Sequence, residues 1–498
     1  MIRREILHQL NEMIRKIVLI VLVSRLFIFF VAIIGDYLIP DHIPQGADSL
    51  LFAEQGSAVL QTFMKWDSIH YLNIARNDYQ LEKQFVFLPG FPFVVKNIST
   101  ILSLGAMSFV DQFIVSALFL NCACLVISCY QLVAILRSFK FIGNIQDSVF
   151  CVTVFCFCPA SIFFFTGYTE ALFSALSWSG LAIILSIPQY EYELSKNFWE
   201  SGFRILKSIL GCICLAAASS VRMNGSLNCV IIISKFLSDP IHLKNGRVLY
   251  YDELKRIIWS IVFCACSLSP CFWWEAVTTK IICIDAAIKR SEDIIIFCKN
   301  RHSLPTKYSI NDFIQYQSMY SKLQQQYWNV GFLKYWRWNQ IPNFLLAIPI
   351  LFISIHSISG IRLRSYLNVD QSVDKSNSRS IIRFSITALS RSLRNFPFQI
   401  SASSNKNTAV LIDQIGCFLE SSRAPLQLHL CALLLIGFFW ANVQITTRLV
   451  CAASPLVYVG FIDILKFGNQ TQKCACVLFL VLYNFGGILL HCNFFPWT

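Results

Sequence analysis

Long apolar runs alternate with shorter polar segments along this chain, and the runs have the length of membrane-spanning helices. A bilayer core of about 30 Å requires roughly 20 apolar residues per helix. Six runs stand apart from their neighbours: Ile17 to Ile39, Phe113 to Leu136, Ile257 to Val277, Ile341 to Ile358, Leu426 to Ala441 and Cys474 to Leu490. Five more are less separable: Phe85 to Leu104, Val149 to Phe165, Ala171 to Ile187, Ile205 to Ala218 and Leu227 to Leu237. The pattern predicts an all-α polytopic membrane protein with about eight to twelve spans.

Composition supports this prediction. A soluble chain of 498 residues would suggest two or more domains. Here 55% of residues are apolar, only 14% are charged, and the mean hydropathy is +0.57, whereas soluble domains carry roughly 25% charged residues. We therefore expect one integral-membrane domain over residues 1–498. The first apolar run is too long for a signal peptide and lacks a small-residue cleavage site, so it is interpreted as an anchor.

The distribution of charge predicts the orientation of the loops. The net charge of +13 is interpreted as the excess of Lys and Arg in cytoplasmic loops rather than as a nucleic-acid surface. Residues 1–16 hold four Lys and Arg, and residues 360–424 hold nine against four acids, whereas residues 40–84 hold three against six acids. We expect the N-terminus and a variable loop at 360–424 to be cytoplasmic. The loops 40–84 and 278–340 are expected on the opposite, lumenal side.

Cysteine placement argues against a disulfide scaffold or a zinc protein. Most of the 20 cysteines lie in apolar runs, where a thiol behaves as a small hydrophobic group. No C-x-x-C pair occurs and the eight histidines are scattered, so the spacing of a structural zinc site is absent. Cys283 and Cys298 fall in a predicted lumenal loop, where the alternatives are a disulfide and two free thiols.

A polar stretch from Lys65 to Phe93, KWDSIHYLNIARNDYQLEKQFVFLPGFPF, interrupts the apolar pattern. If residues 66–79 are helical, Asp67, Tyr71 and Asp78 lie within about 40° of one another, and His70 lies about 60° from Asp67. Apolar residues share that face, which is untypical of a solvated surface; an interfacial loop with aromatic anchors is the alternative. The basic residues of the stretch are interpreted as solvated: Lys65, Arg76 and Lys83.

Two ionisable residues lie at membrane depth. Glu170 occurs in FFFTGYTEALF, and Arg222 occurs in AAASSVRMNGSL with Asn224 behind it. A charge at that depth costs roughly 2.5 kcal/mol or more, so it usually faces a cavity or a partner. A snorkelling Arg and a Glu in a short turn are the structural alternatives. A functional Arg222 would suit an anionic phosphate, because a guanidinium group stays charged and binds two oxygens.

An aromatic cluster precedes one predicted span. The segment QQQYWNVGFLKYWRWNQIPNFLLAIP contains Tyr327 and Trp328 and three further Tyr and Trp residues. Such clusters form interfacial belts and also platforms for sugar rings or lipid tails. These features fit an enzyme acting on a lipid-linked polar substrate, and equally a transporter.

Several segments in order resemble the phosphatidylinositol-glycan class V family over nearly the whole chain. They are WDSIHYLNIARNDYQLEKQFVFLPGFP, FCFCPASIFFFTGYTEALF, VRMNG, YWNVGFLKYW with IPNFLLAIP, and LLHCNFFPWT. The chain departs from the family pattern at Asp78, where a Gly is expected, and at Met223, where a Ser is expected. The 360–424 loop matches no part of the pattern.

The resemblance implies a GT-C-type helical bundle in the endoplasmic reticulum membrane with a lumenal active site. It implies transfer of the second mannose, α-1,6-linked, from dolichyl-phosphate mannose to the first mannose of a GPI-anchor precursor. Because the donor is β-linked, an α product implies inversion, with Asp67 as general base. Arg222 is the candidate phosphate partner. Further substrate-binding candidates are Trp66, His70, Tyr71, Glu82, Glu170, Asn224, Tyr327 and Trp328.

No cofactor and no metal are expected, because an Arg can stabilise a phosphate leaving group and no D-x-D pair is seen. Expected partners are the two glycolipid substrates and the membrane, without nucleic acid; a small accessory membrane subunit is left open. Two other classes remain as alternatives. A transporter predicts repeats in matching halves, which are not found, and a catalytically inactive assembly subunit predicts tolerance of Asp67 loss. A different acceptor for the same donor is the nearest alternative enzyme.

Overall fold

The computed structural model describes residues 2–42, 56–102, 107–187, 198–238, 243–244, 247–248, 250–284, 291–302, 318–359 and 423–495. The helices of the first half are α1 (Ile2–Leu38), α2 (Ala58–Gln61), α3 (Asp67–Asn77), α4 (Gly90–Leu102), α5 (Phe109–Ser138), α6 (Ile145–Cys156), α7 (Glu170–Leu185), α8 (Phe198–Val221) and α9 (Asn228–Ser238). Those of the second half are α10 (Tyr250–Ile284), α11 (Glu292–His302), α12 (Met319–Trp328), α13 (Ile341–Ser359), α14 (Ala424–Leu435), α15 (Thr446–Ala453), α16 (Leu456–Phe467) and α17 (Gln470–Cys492).

Short irregular elements connect these helices. Single 3₁₀ turns cover Glu82–Val86, Ser161–Phe164, Met223–Leu227, Trp338–Gln340 and Val443–Ile445, and a π-helical turn covers Ile436–Trp440. Two strands of two residues, β1 (Leu243–Lys244) and β2 (Arg247–Val248), pair antiparallel. The predicted loop at 360–424 lies outside the described residues except for its last two positions, Arg423 and Ala424.

The all-α polytopic prediction is confirmed. Within the described ranges six helices are long and apolar enough to cross a membrane: Asn11–Leu38, Phe109–Ser138, Gly202–Val221, Ile257–Ile284, Trp338–Ser359 and Gln470–Cys492. A seventh candidate is the pair Val443–Ala453 and Leu456–Phe467, bent by 93°. Four shorter apolar helices occur at Gly90–Leu102, Ile145–Cys156, Glu170–Leu185 and Ala424–Trp440. How many of these reach across the bilayer is not set by length and composition, so the number of spans stays a prediction.

Helix α7 lies at the centre of the fold and fixes the position of α15. It packs between α5 and α8 and contacts α15. The Ser174 hydroxyl donates to the carbonyl of Ala452 at 2.7 Å, and the Trp178 indole N–H donates to that of Ala453 at 3.2 Å. The last carbonyls of a helix have no partner within it. These bonds satisfy such carbonyls in α15 and thereby fix its end against α7.

A buried arginine in α1 orients the segment that leads to α7. Arg25 is only 3% exposed and donates to the carbonyl of Cys156 at 2.6 Å and to that of Ser161 at 3.0 Å. Cys156 is the last residue of α6, where the helix dipole favours a cation. Arg25 therefore ties the first span to the turn between α6 and Glu170. In the sequence, the position of Arg25 inside an apolar run already indicates a charged group with partners in the interior.

The interpretation of Lys65 as solvated is wrong. Its ammonium group pairs with Asp36 at 3.1 Å and with Asp41 at 3.0 Å, and it lies 4.7 Å from the ring centroid of Phe494. A buried charge is stable only when it is paired and hydrogen-bonded. This pairing joins the end of α1, the entry to α3 and the C-terminal segment, so it holds the residues next to Asp67 in place.

Helix α3 is shorter than the predicted helix 66–79, and the prediction that Asp67 and Asp78 share a helix face is wrong. The helix ends at Asn77, and Asp78 follows with φ 58° and ψ −162°. That region of backbone space is populated almost only by glycine, because a Cβ is crowded there. The exposed side chain of Asp78 therefore lies outside the helix. The same geometry gives a physical reason for the Gly that the family resemblance leads one to expect at this position.

We expect Asp78→Gly to stabilise the protein by about 1 kcal/mol, because the strain of a non-glycine residue at this backbone conformation is of that order. The unfolding midpoint of the purified protein in detergent should rise. The matched control is Asn77→Gly, one residue earlier and still in helix, which should lower the midpoint slightly. Equal shifts for the two substitutions would contradict this account of Asp78.

Candidate active site

Asp67 is the first residue of α3, and it is held there by an unusual backbone turn. Trp66 before it has φ 59° and ψ −126°, a strained conformation of the type that clusters at functional sites. The backbone N–H of Asp67 donates to the Tyr168 hydroxyl at 3.2 Å. The Asp67 side chain is 36% exposed, so its carboxylate is fixed at the edge of the apolar interior but still open to a substrate.

Arg448 of α15 is a site residue that sequence reasoning missed. Its Nε donates to Glu170 Oε1 at 2.8 Å, and its Nη1 reaches Asp67 Oδ2 at 3.4 Å. The guanidinium carbon lies 4.5 Å from the ring centroid of Phe163 and 4.9 Å from that of Tyr168. A signal did exist, because Arg448 is the one Lys, Arg, Asp or Glu between Arg423 and Asp463, and a charge in so apolar a stretch is a site candidate.

Glu170 links two guanidinium groups. Its side chain is fully buried, and its Oε1 accepts from Arg222 Nη1 at 2.5 Å as well as from Arg448 Nε. It is also the first residue of α7, where the helix N-terminus favours a carboxylate. We call the series Asp67–Arg448–Glu170–Arg222 the charged row. Glu170 does follow the short turn between two helices, as the structural alternative has it, but its carboxylate is buried and paired.

Arg222 is held rigidly on the other side of Glu170. It follows the last residue of α8, donates from Nη1 to the Thr169 hydroxyl at 3.0 Å, and donates from Nε to Asn224 Oδ1 at 3.3 Å. A Cβ on Gly90 would lie 2.7 Å from the carbonyl oxygen of Ser220, so only glycine allows α4 to approach the end of α8 this closely. With its side chain 17% exposed and paired, Arg222 is not a snorkelling residue.

An aromatic wall lies along α3 beside Asp67. His70 stacks on Phe87 with ring centroids 4.8 Å apart, Tyr71 contacts the same ring edge-on at 5.3 Å, and Trp328 contacts it at 6.0 Å. Burial, followed by the charge of Asp67, raises the pKa of Tyr71 above its ordinary value. The Tyr71 phenol therefore stays neutral and protonated. This wall brings three of the predicted substrate-binding residues together.

Glu82 and Tyr327 lie apart from the charged row and bind each other. The buried Glu82 carboxylate accepts from the Tyr327 hydroxyl, from Gln326 Nε2 at 3.3 Å and from the backbone N–H of Ser291 at 3.1 Å. These bonds attach the first loop to α12 and to the start of α11. They fasten the segment that carries Trp328 of the aromatic wall, and the role of Glu82 and Tyr327 in shaping a sugar pocket stays a prediction.

Cys283 and Cys298 form a disulfide, which closes the alternative of two free thiols. It connects the end of α10 with α11. Helix α12 is held at its other end by Glu275, whose carboxylate accepts from the backbone N–H groups of Met319 at 2.6 Å and Tyr320 at 3.1 Å. The polar segment 278–340 is therefore fastened, in its described parts, to the loop that carries Asp67.

The charged row brings together a group that can accept a proton and groups that can bind an anion. It contains two carboxylates and two guanidinium groups, so its own charges balance. Asp67 is its most exposed acid and can accept a proton, while the guanidinium groups can meet an anion such as a phosphate. Within the described residues no three His, Cys, Asp or Glu side chains are grouped as they would be around a metal ion.

Comparison with known proteins gives one family over nearly the whole chain. The model of the family described as Mannosyltransferase (PIG-V) matches residues 13–498. A GPI mannosyltransferase 2 of Drosophila pseudoobscura is 26% identical, with 98% of this chain and 100% of the relative covered. The GPI alpha-1,6-mannosyltransferase 2 of Homo sapiens is 24% identical, with coverages of 97% and 99%. That of Cricetulus griseus is 23% identical, with coverages of 95% and 96%.

Among solved structures, the chain is similar to the oligosaccharyltransferase of Archaeoglobus fulgidus. The TM-score is 0.39 at 9% identity, with 95% of this chain and 53% of the other covered.

We expect Glu170→Gln to destabilise the protein by about 3 kcal/mol or more, because it leaves Arg222 without a carboxylate partner and Arg448 with only its longer contact to Asp67. The measurement is the unfolding midpoint in detergent. Glu12→Gln is the matched control, since Glu12 pairs with Lys16 on an exposed helix face where both side chains are 44% exposed and such pairs contribute about 0–1 kcal/mol. A loss no larger than that of the control would refute the stated role of Glu170.

Proposed function

The chain belongs to the PIG-V mannosyltransferase family, and we propose that it adds the second, α-1,6-linked mannose to a GPI-anchor precursor. It is a GPI mannosyltransferase and a multi-pass membrane protein. The proposed donor is dolichyl-phosphate mannose, and the proposed acceptor is the first mannose of the precursor. The name of the human relative, a GPI alpha-1,6-mannosyltransferase 2, supports the linkage.

The observation that carries the mechanism is the charged row with Asp67 at its exposed end. In the proposed reaction Asp67 takes the proton of the acceptor 6-hydroxyl while the hydroxyl oxygen attacks C1 of the donor mannose. The bond between C1 and the phosphate oxygen breaks, and its electron pair leaves with the phosphate. A single displacement of this kind inverts a β-linked donor to an α product. Arg222 supplies positive charge for the phosphate.

The aromatic wall supports a place for the sugars. His70 and Trp328 pack around the buried ring of Phe87 and are themselves partly exposed, and such ring surfaces bind the apolar faces of sugar rings. Tyr71, with its neutral phenol, and Trp66, whose buried indole N–H has no hydrogen-bond partner among the described residues, complete the proposed pocket. The Nδ2 of Asn224 is likewise buried without a partner in the described part of the chain.

The proposed location is the endoplasmic reticulum membrane with a lumenal active site. Disulfides form in oxidising compartments such as the reticulum lumen. Ser291 lies between Cys283 and Cys298 in sequence, and its N–H binds Glu82 of the loop that carries Asp67. The disulfide and the first loop are therefore on one side of the membrane, which supports a lumenal position for both.

We expect Asp67→Asn to reduce mannosyl transfer by about 10³-fold or more, because the base is lost and the geometry is kept. The assay measures transfer from dolichyl-phosphate mannose to GPI precursor in microsomes that lack the endogenous second mannosyltransferase. Glu12→Gln is the matched control: Glu12 is 44% exposed and pairs with Lys16 away from the site, and its loss should leave transfer within a few-fold. Full transfer by Asp67→Asn would refute the base assignment.

We propose that transfer needs no metal ion, because Arg222 and Arg448 already supply positive charge next to Asp67. Activity should be unchanged after dialysis against EDTA. Loss of activity with EDTA and its recovery on addition of manganese would contradict this proposal.

A further inference from the structure

The guanidinium group of Arg448 is anchored along its inner edge. Nε donates to Glu170 at 2.8 Å, and the group lies against the rings of Phe163 and Tyr168. Charge-assisted bonds to a fully buried carboxylate are among the strong hydrogen bonds in proteins. Helix α15 is itself fastened to α7 through Ser174 and Trp178. The side chain therefore has a fixed base.

The outer edge of the Arg448 guanidinium group, formed by Nη1 and Nη2, is bound much more weakly. Nη1 reaches Asp67 only at 3.4 Å, which is beyond the usual 2.7–2.9 Å of a charge-assisted bond. Nη2 makes no hydrogen bond to any described residue, although the side chain is only 12% exposed. A partly bound outer edge on a fixed base is suited to a second anion.

The proposed mannosyl transfer, on which this inference rests, moves one negative charge past Arg448. Before transfer Asp67 is a carboxylate, and the donor phosphodiester carries one negative charge. Asp67 then gains the proton of the acceptor hydroxyl and becomes neutral. The dolichyl phosphate released is a monoester, which carries close to two negative charges at neutral pH. One charge is therefore lost at Asp67 while one appears on the phosphate.

We propose that Arg448 is a transferable counter-ion, which pairs with Asp67 before the reaction and with the departing phosphate after it. The pairing couples the two halves of the reaction. Proton uptake by Asp67 frees the outer edge of Arg448 at the moment when the phosphate needs more positive charge. By this assignment Arg448 is a catalytic residue that favours the dianionic product over the monoanionic donor.

Arg222 provides the internal comparison. It binds the same Glu170 oxygen, but its other contacts are Thr169 and Asn224 rather than Asp67. Its charge is therefore available to the phosphate throughout the reaction. The two arginines are expected to differ in one measurable property: only the contribution of Arg448 should depend on the charge of Asp67.

The test is equilibrium binding of dolichyl phosphate to the purified full chain in detergent at neutral pH. Asp67→Asn imitates the protonated base and should bind dolichyl phosphate about tenfold more tightly than the wild type, since a charge-assisted bond becomes available. Adding Arg448→Gln should abolish this gain. Adding Arg222→Gln should weaken binding by the same factor with and without Asp67→Asn, so that the gain from Asp67→Asn persists in full.

Two controls isolate the effect. Glu12→Gln removes a carboxylate that pairs with Lys16 on an exposed helix face and should not change the affinity, and dolichol without phosphate should bind all variants equally. If Arg448→Gln does not fold, Arg448→Lys replaces it. This variant should retain only part of the gain in affinity, because an ammonium group lacks the planar, two-edged arrangement of donors of a guanidinium group.

An unchanged or weaker affinity of Asp67→Asn overturns the inference, and so does a gain that persists in full with Arg448→Gln. Failure of the proposed function is recognised separately, because the wild-type chain would then transfer no mannose from dolichyl-phosphate mannose. A wild type that transfers mannose, combined with variants that bind dolichyl phosphate alike, refutes the role of Arg448 alone.

Discussion

A single carboxylate, that of Glu170, sets the arrangement of the site. Placing an ion in an apolar interior costs several kcal/mol, and the cost is offset only by close counter-charges with good geometry. Glu170 meets this condition by receiving one guanidinium group from the end of α8 and another from α15. Neither helix can shift without leaving a charge unpaired. Arg448 in turn reaches the carboxylate of Asp67 at 3.4 Å, so the Glu170 cluster extends to the exposed end of the charged row.

The surrounding structure consists largely of polar groups that satisfy backbone atoms inside the apolar bundle. Arg25 binds carbonyls at the end of α6, and Ser174 and Trp178 bind carbonyls at the end of α15. In lipid no water is available for such atoms, so each of these side chains replaces it. The result is a candidate site on firmly held helix ends, with the Asp67 carboxylate at the boundary of the apolar interior.

Sequence reasoning found what depends on local pattern. The apolar runs predicted the helices, and the rarity of charges at membrane depth identified Glu170 and Arg222. It did not find that these two residues, 52 positions apart, bind each other. Nor did it find that Arg448 joins them, because Glu170 and Asp67 lie 278 and 381 positions away from Arg448 in the chain. Lys65 was misjudged because its two acids are also distant in the chain: Asp36 lies near the end of α1 and Asp41 just after it. The end of α3 depends on a backbone angle at Asp78, which only the absence of the expected Gly could have signalled.

The long separation within the charged row has a consequence for biosynthesis. Ribosomes add about 5–20 residues per second, so the 278 positions between Glu170 and Arg448 take on the order of tens of seconds to make. During that interval Glu170 has at most one of its two counter-charges, so α7 is made long before its set of partners is complete. The complete pairing of Glu170 is therefore among the last contacts that the growing chain can form.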